Sequence, residues 1–564
     1  MPYTSPVAEF EFLMRHVVGY DRVAATDLFT EASPDIVHAI LTEAGKMCDT
    51  ILAPLNRAGD LAPARLENGV VRITPGFAEG YRAIADGGYI AMSADPEHGG
   101  LGLPMTVTTA VNEMIAGSCL AIQLNPLMTQ GQIEALEHHA SDAIKNLYLP
   151  RLTSGEWCGT MNLTEPQAGS DVGALRAKAE PNGDGTYAIS GQKIYISWGD
   201  NDFSDNIVHL VLARLPDGPP GTKGISLFLV PKRIPDDAGN PGVANTLKVV
   251  SLEHKLGLHA SPTCVMQYDG ATGWLVGEAH GGLAAMFTMM NNARLGVGVQ
   301  GIGVAEAAYQ HALAYAVDRT QGRSMINGGT GTILDHADVR RMLMQMKAET
   351  FAARAMALDL AVSLDLARAT DDAMQAARAA ALTPICKAYG TETGIAVAQT
   401  GIQVHGGMGF IEETGAAQYL RDVRVTAIYE GTNGIQAMDL VGRKMMDGGA
   451  AILALLDDVA ATAAAAGDAG APLTQAVDAM RQTTTAMLAL KMNDRFGGAV
   501  PYLMAMARVL GAGYHLRAAM ADPARAALAR FYVTRLLPEA QAHMAQAICG
   551  GDGLYDLDPG DLAA

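Results

Sequence analysis

Apolar positions recur at helical spacing through the first 155 or so residues, in IVHAILTEAGKMCDTIL and again in TVTTAVNEMIAGSCLAIQLNPLMTQGQIEALEHH. The stretch from Asp95 to Gly100 reads as a loop, because Pro and Gly interrupt the period. Near Trp157 the pattern changes to short β-rich runs, TYAISGQKIYIS, NIVHLVLARL, GISLFLVPK and TCVMQYDG, punctuated by Gly, Pro and Asp. These predict an antiparallel β-domain. From Gly281 to about Lys444 the helical period returns in long segments that suggest a bundle. Past Gly448 an alanine-rich helix runs into a Gly/Ala/Pro stretch, GDAGAP, expected to be a flexible joint, and about three more helices follow. The expected order is a helical domain (1–155), a β-domain (156–275), a helical bundle (276–447) and an extra helical module (448–564), closing on a loosely held acidic tail. The fold class is mainly α with a central antiparallel β-domain.

A length of 564 residues exceeds one ordinary core and fits this division. Apolar residues make up 49% and charged residues 18%, which excludes a disordered chain. The formal charge of −19 argues against a nucleic-acid partner. Residues 451–564 contribute eight basic and eleven acidic side chains to that balance, so the last module offers no basic face. Six scattered cysteines form no CxxC pair and no zinc spacing, so reduced thiols and no metal site are expected. The first residues lack the pattern of a secretory signal and no segment is apolar enough to span a bilayer. A soluble cytoplasmic protein is expected, without membrane attachment.

Six motifs carry candidate chemistry. Asn162–Asp171 reads NLTEPQAGSD, where hydroxyls and glycines crowd a strand end, so that backbone amides and a close, flat ligand can meet. In Lys193–Gly199, KIYISWG, alternation places Tyr195 and Ser197 on one strand face. Asp318–Arg323, DRTQGR, offers Arg319 and Gln321 at a helix end, where a guanidinium fork suits a pyrophosphate. Gln403–Phe410, QVHGGMGF, is a glycine loop with Gly406 and Gly407 that can approach a phosphate or ribose; His405 reads as a packed loop histidine. Ala427–Gln436, AIYEGTNGIQ, sets Glu430 beside Gly431 and Thr432. Asn291–Arg294, NNAR, opens a long helix with Asn291 and Arg294 on one face.

Together these motifs resemble the acyl-CoA dehydrogenase family over residues from about 80 to 445, in the family's order. The resemblance implies the acyl-CoA dehydrogenase fold, FAD as cofactor and Glu430 as the base that removes the substrate α-proton while flavin N5 takes the β-hydride. It makes Thr164, Tyr195, Ser197, Arg319, Gln321, Gln403, Gly406, Gly407 and Thr432 cofactor contacts. It makes Ser170, Asn291, Arg294 and Gly431 substrate contacts. The product is a trans-2-enoyl-CoA, with electrons leaving through an electron-transfer flavoprotein. The chain departs from the family pattern at Tyr195, where a tryptophan is usual, and at Gly322, where a phenylalanine precedes the glycine in most members. The glycine loop of one subunit reaches the dinucleotide of the next, so at least a dimer is implied. The extra module, folded back on the bundle, would block the face through which shorter relatives form tetramers, leaving a homodimer. The two chain ends resemble those of 3-methylmercaptopropionyl-CoA dehydrogenases and long bacterial relatives, which points to 3-(methylthio)propanoyl-CoA as substrate. Other readings are a broad-range fatty acyl-CoA dehydrogenase, an acyl-CoA oxidase and a non-enzymatic DNA-binding flavoprotein.

Overall fold

A computed structural model describes residues 3–563. The first 155 residues fold mainly as helices, with Met105–Ser118 and Leu120–His139 almost wholly buried. Cys119, extended at φ −157°, separates these two. The helical period hides one small departure, a hairpin of Arg65–Glu67 and Val70–Arg72 turning on Asn68 and Gly69, both at positive φ.

The central sheet has seven strands. The strand Thr263–Val276 pairs antiparallel with Tyr187–Ser197, Leu247–Leu252 and Ile225–Pro231. Ile225–Pro231 also pairs with Asn206–Arg214, which meets Lys178–Pro181, itself paired with Tyr187–Ser197. The pairing returns on itself and encloses a small core of Ile189, Val211, Phe228, Val230, Met266 and Tyr268. The sheet is antiparallel except where Asn206–Arg214 meets Trp157–Asn162 along its length and Lys178 at one position. Residues 163–205 supply the long crossover that a parallel pair requires.

Three long helices, Gly282–Asp318, Ala337–Thr370 and Ala373–His405, form the bundle. The first and third run in the same direction. Glycines let them touch: a Cβ on Gly298 would meet the Cys386 carbonyl at 2.9 Å, and one on Gly301 the Gly390 carbonyl at 2.3 Å. Further along, His311 lies against His405, with ring centroids 4.7 Å apart.

The last module lies on this bundle. Arg508 on the Ala499–Ala521 helix bonds Glu349 at 2.8 Å, and Tyr514 donates to Asp359 at 2.7 Å. The GDAGAP stretch is a tight turn rather than a flexible joint. Gly467–Gly470 forms a short helical turn, Gly470 packs against the Ala463 carbonyl, and Pro472 starts the helix Ala471–Ala489. Among the described residues no single helix is long and apolar enough to cross a membrane.

Candidate active site

The barrel contributes a turn and a bulge. Glu165 and Ala168 exchange backbone hydrogen bonds of 3.1 and 2.9 Å, closing the turn that presents Thr164 and Ser170. Glu165 is buried beneath it. Its carboxylate accepts from Lys193 Nζ at 2.8 Å and from the backbone amides of Arg176 and Ala177 at 2.7 and 3.0 Å. Lys193 is fully buried and also donates to the Leu163 carbonyl at 3.1 Å. Desolvation pulls its ammonium down to about 8, against the attraction of Glu165. This pair ties the 164–170 turn to the Tyr187–Ser197 strand.

On that strand the pairing partners jump from Lys193↔Met266 to Ile196↔Cys264, so one extra residue bulges out. Tyr195 occupies the bulge at φ +61° and is 61% exposed. The simple alternation that would set Tyr195 and Ser197 on one face therefore does not run through this segment. An aromatic residue in the left-handed region is strained, and such strain is held in place by its surroundings.

The carboxylate motif forms a second strained turn. Glu430 (φ +56°) and Gly431 (φ +85°) are successive left-handed residues. Glycine suits the second position, since a Cβ there would meet Gln436 Nε2 at 2.8 Å. Both carbonyls of the turn are held: Gln436 Nε2 donates to the Glu430 carbonyl at 3.3 Å, and Lys387 Nζ to the Gly431 carbonyl at 2.8 Å. Thr432 caps the Asn433–Val441 helix, its hydroxyl accepting from the Ile435 amide at 3.3 Å. That bond gives the Thr432 side chain a structural task in addition to the cofactor contact expected of it.

Glu430 as a residue is half-buried, but its Oε2 is enclosed and has no hydrogen-bond partner among the described residues. Desolvation pushes its carboxyl up to about 7, while the nearby cations Arg294 and Lys387 pull the other way. Arg294 is buried and bonds Asn291 at 3.3 Å, consistent with their shared helix face. The helix begins at Gly282, however, so this motif lies in its interior rather than at its opening. The run AMFTMMNN is too evenly apolar to show where the helix starts. Tyr429 bonds Gln300, whose Nε2 donates to Gln123 at 2.6 Å on the Leu120–His139 helix. On the same helix the Ala121 carbonyl accepts from Trp198 Nε1 at 3.1 Å. The Glu430 turn and the segment after the Tyr187–Ser197 strand are thus joined through one helix.

The remaining motif residues gather elsewhere. Arg319 and Gln321 follow the C-terminal end of Gly282–Asp318, and Gln403, Gly406 and Gly407 lie at the end of Ala373–His405; all five are exposed. Among the described residues, a Cβ on Gly406 or Gly407 would meet nothing within 4 Å. Because the two helices run in parallel, these residues share one end of the bundle. Arg294 and Arg319 are separated by 25 residues of helix, about 37 Å at 1.5 Å per residue. His405 is buried, with Nδ1 2.7 Å from the Gly401 carbonyl. Lys193, Glu165 and Lys387 were not singled out from the sequence. A lone lysine inside the apolar run LTPICKAYG was the available signal for the last of these.

Residues 52–156, 160–271 and 280–446 match the N-terminal, middle and C-terminal domains described for acyl-CoA dehydrogenase, and residues 455–558 match an acetyl-CoA dehydrogenase C-terminal-like domain. The 3-methylmercaptopropionyl-CoA dehydrogenase of Ruegeria pomeroyi is 46% identical over 520 residues, covering 89% of this chain and 88% of the relative.

The chain belongs to the acyl-CoA dehydrogenase family.

The fold is shared with Caenorhabditis elegans ACDH-11, solved in complex with C11-CoA, at TM-score 0.80 and 21% identity over 98% of this chain and 96% of that one. It is shared as well with a Bacillus anthracis acyl-CoA dehydrogenase complexed with FAD, at TM-score 0.70 and 21% identity over 85% and 84%. The enzyme oxidises a CH–CH bond of an acyl-CoA and uses FAD. The residues present suit that cofactor: the open glycine edge at Gly406 and Gly407 admits a phosphate or ribose, and the exposed Tyr195 and the 164–170 turn offer a flat, polar approach.

Proposed function

We propose that the enzyme converts 3-(methylthio)propanoyl-CoA to 3-(methylthio)acryloyl-CoA, with Glu430 as the catalytic base. The observation that carries the base assignment is the enclosed, unpartnered Oε2 of Glu430 in a strained turn whose carbonyls are both held. The α-proton of a thioester is a far weaker acid than a free carboxylic acid. Burial narrows the gap from the base side, since a carboxylate lifted to about 7 takes a proton more readily. Hydrogen-bond donors at the thioester carbonyl lower the barrier from the other side by stabilising the developing enolate. Glu430 removes the α-proton, and a Cα–Cβ double bond forms as the β-hydrogen departs with its electron pair. FAD supplies the acceptor for that pair. Arg294, Asn291, Gly431 and Ser170 orient the thioester and its CoA arm.

Thr164, Tyr195 and Ser197 contact the flavin from the barrel. Arg319, Gln321, Gln403, Gly406 and Gly407 sit at the far end of the bundle, roughly 37 Å of helix from Arg294. This separation supports their serving the FAD of a second copy, hence a homodimer. The exposed Met408, Phe410 and Ile411 beside the glycine loop, with Phe410 86% exposed, supply apolar surface for such a contact. An electron-transfer flavoprotein is the proposed acceptor. The cytoplasm is the proposed compartment, in keeping with five buried free thiols.

The substrate assignment rests on the similarity to the Ruegeria pomeroyi enzyme along nearly the whole chain. Steady-state kcat/KM with a dye acceptor over straight-chain acyl-CoAs and 3-(methylthio)propanoyl-CoA tests it. The thioether substrate should rank first; a higher kcat/KM for a long straight chain favours the broad-range reading instead.

A further inference from the structure

Lys387 lies in the middle of the Ala373–His405 helix, inside an otherwise apolar run, and is fully buried. A buried lysine is rare unless something requires its charge or its donors. Its Nζ donates to the Gly431 carbonyl at 2.8 Å and to Asn433 Oδ1 at 3.0 Å. Asn433 is braced in turn, its Nδ2 bonding Glu392 at 2.7 Å and Thr391 at 3.0 Å. The residue immediately after Glu430 is therefore tethered to a rigid helix through an ammonium group.

We propose that Lys387 is a positioning residue for the catalytic base: it fixes the left-handed Glu430–Gly431 turn through the Gly431 carbonyl and keeps a positive charge beside the Glu430 carboxylate. This rests on Glu430 being the base. A glutamate in the left-handed region is costly to hold. Without the tether the turn relaxes and the carboxylate loses its aim; small misplacements of a reacting group lower rates steeply. The charge matters as well. Glu430 is faced by two cations, Arg294 from the Gly282–Asp318 helix and Lys387 from the Ala373–His405 helix, with Tyr429 adjoining it in the turn. Arg294 is partly neutralised by Asp439, 3.9 Å away. Lys387 feels Glu392 on its own helix, Glu430 across the gap and Arg294 beyond. Both cations favour the ionised form of the base, and removing one shifts the base toward its protonated form.

The test compares Lys387→Gln, which keeps a donor but not the charge, with Lys387→Arg, which keeps the charge in a different geometry. The holoenzyme is used, with rates normalised to bound flavin absorbance, so that a poorly accumulating variant still reports its pH profile. In Lys387→Gln, kcat should fall about 10- to 100-fold, and the acid limb of kcat/KM should move up by roughly one pH unit. In Lys387→Arg the acid limb should return to the wild-type position even where kcat remains low. A lysine that only supported the fold would reduce stability and flavin content and leave the limb in place. An unmoved acid limb in Lys387→Gln, or the same displacement in both variants, overturns the proposal. Glu430→Gln separates the two layers. If it is inactive while the limb of Lys387→Gln is unmoved, this inference alone fails; if it is active, the assignment of the base fails.

Discussion

Glu430 holds a carboxylate where burial works against its charge. Raised from the ordinary glutamate value of 4.5 to about 7, it binds a proton more tightly in the folded chain than in the unfolded one. Its stabilising contribution is therefore fully present below about 4.5 and is lost as pH rises through about 7. Two outcomes follow with definite signs. Activity needs the ionised base, so kcat/KM should climb with pH through about 7 and fall away on the acid side. Stability should run the other way. Glu430→Gln removes a buried charge, so the variant should melt at a higher temperature than wild type at pH 8, with a smaller gain at pH 5; an equal gain at both pH values in calorimetry would refute the linkage. The glutamate was legible in the sequence because Tyr429-Glu430-Gly431-Thr432 carries the family motif. Its partner Lys387 was not, because the tether spans more than forty residues and depends on how two helices meet.

At the scale of elements, the long helices follow from their 3.6-residue period, while irregular strands do not follow from alternation. The bulge at Tyr195 is one extra residue in one strand, and a sequence read two residues at a time passes through it without a signal. The turn at Gly467–Gly470 misleads in a similar way. Gly, Ala and Pro suggest a hinge, but here they allow close packing against Ala463. The Lys193–Glu165 pair beneath the 164–170 turn is the element-level device of the barrel site. Lys193→Met leaves Glu165 buried without its cation and should cost about 3–5 kcal/mol, read as a lower urea midpoint, and should reduce FAD occupancy. A loss within about 0.5 kcal/mol, typical of unimportant surface positions, would mean that the pair does not hold the turn.

At the scale of the whole molecule, the apolar stripes of the extra module's helices already pointed to a module folded back on the bundle, while the polar bonds that seat it there were not legible. The structure lays it against the bundle through apolar helices and buried polar bonds from Arg508, Tyr514 and His515 to Glu349, Asp359 and the Ala348 carbonyl. Arg525 also reaches Glu9, in the first helix, at 2.8 and 2.9 Å. Truncation near residue 448 would strip partners from the buried Glu349 and Asp359, so the full-length protein is the informative one for assembly. Light scattering should give twice the 59.0 kDa chain mass; a tetramer would show that the module does not block that face.

The central claim joins these scales: the acyl-CoA α-proton leaves to Glu430. Anaerobic mixing of the FAD-loaded enzyme with 3-(methylthio)propanoyl-CoA, followed by flavin absorbance, tests it most directly. Wild type should lose its oxidised-flavin absorbance with one enoyl-CoA formed per flavin, and Glu430→Gln should keep its yellow colour with a rate lower by at least about a thousandfold. Bleaching of Glu430→Gln at the wild-type rate would contradict the account.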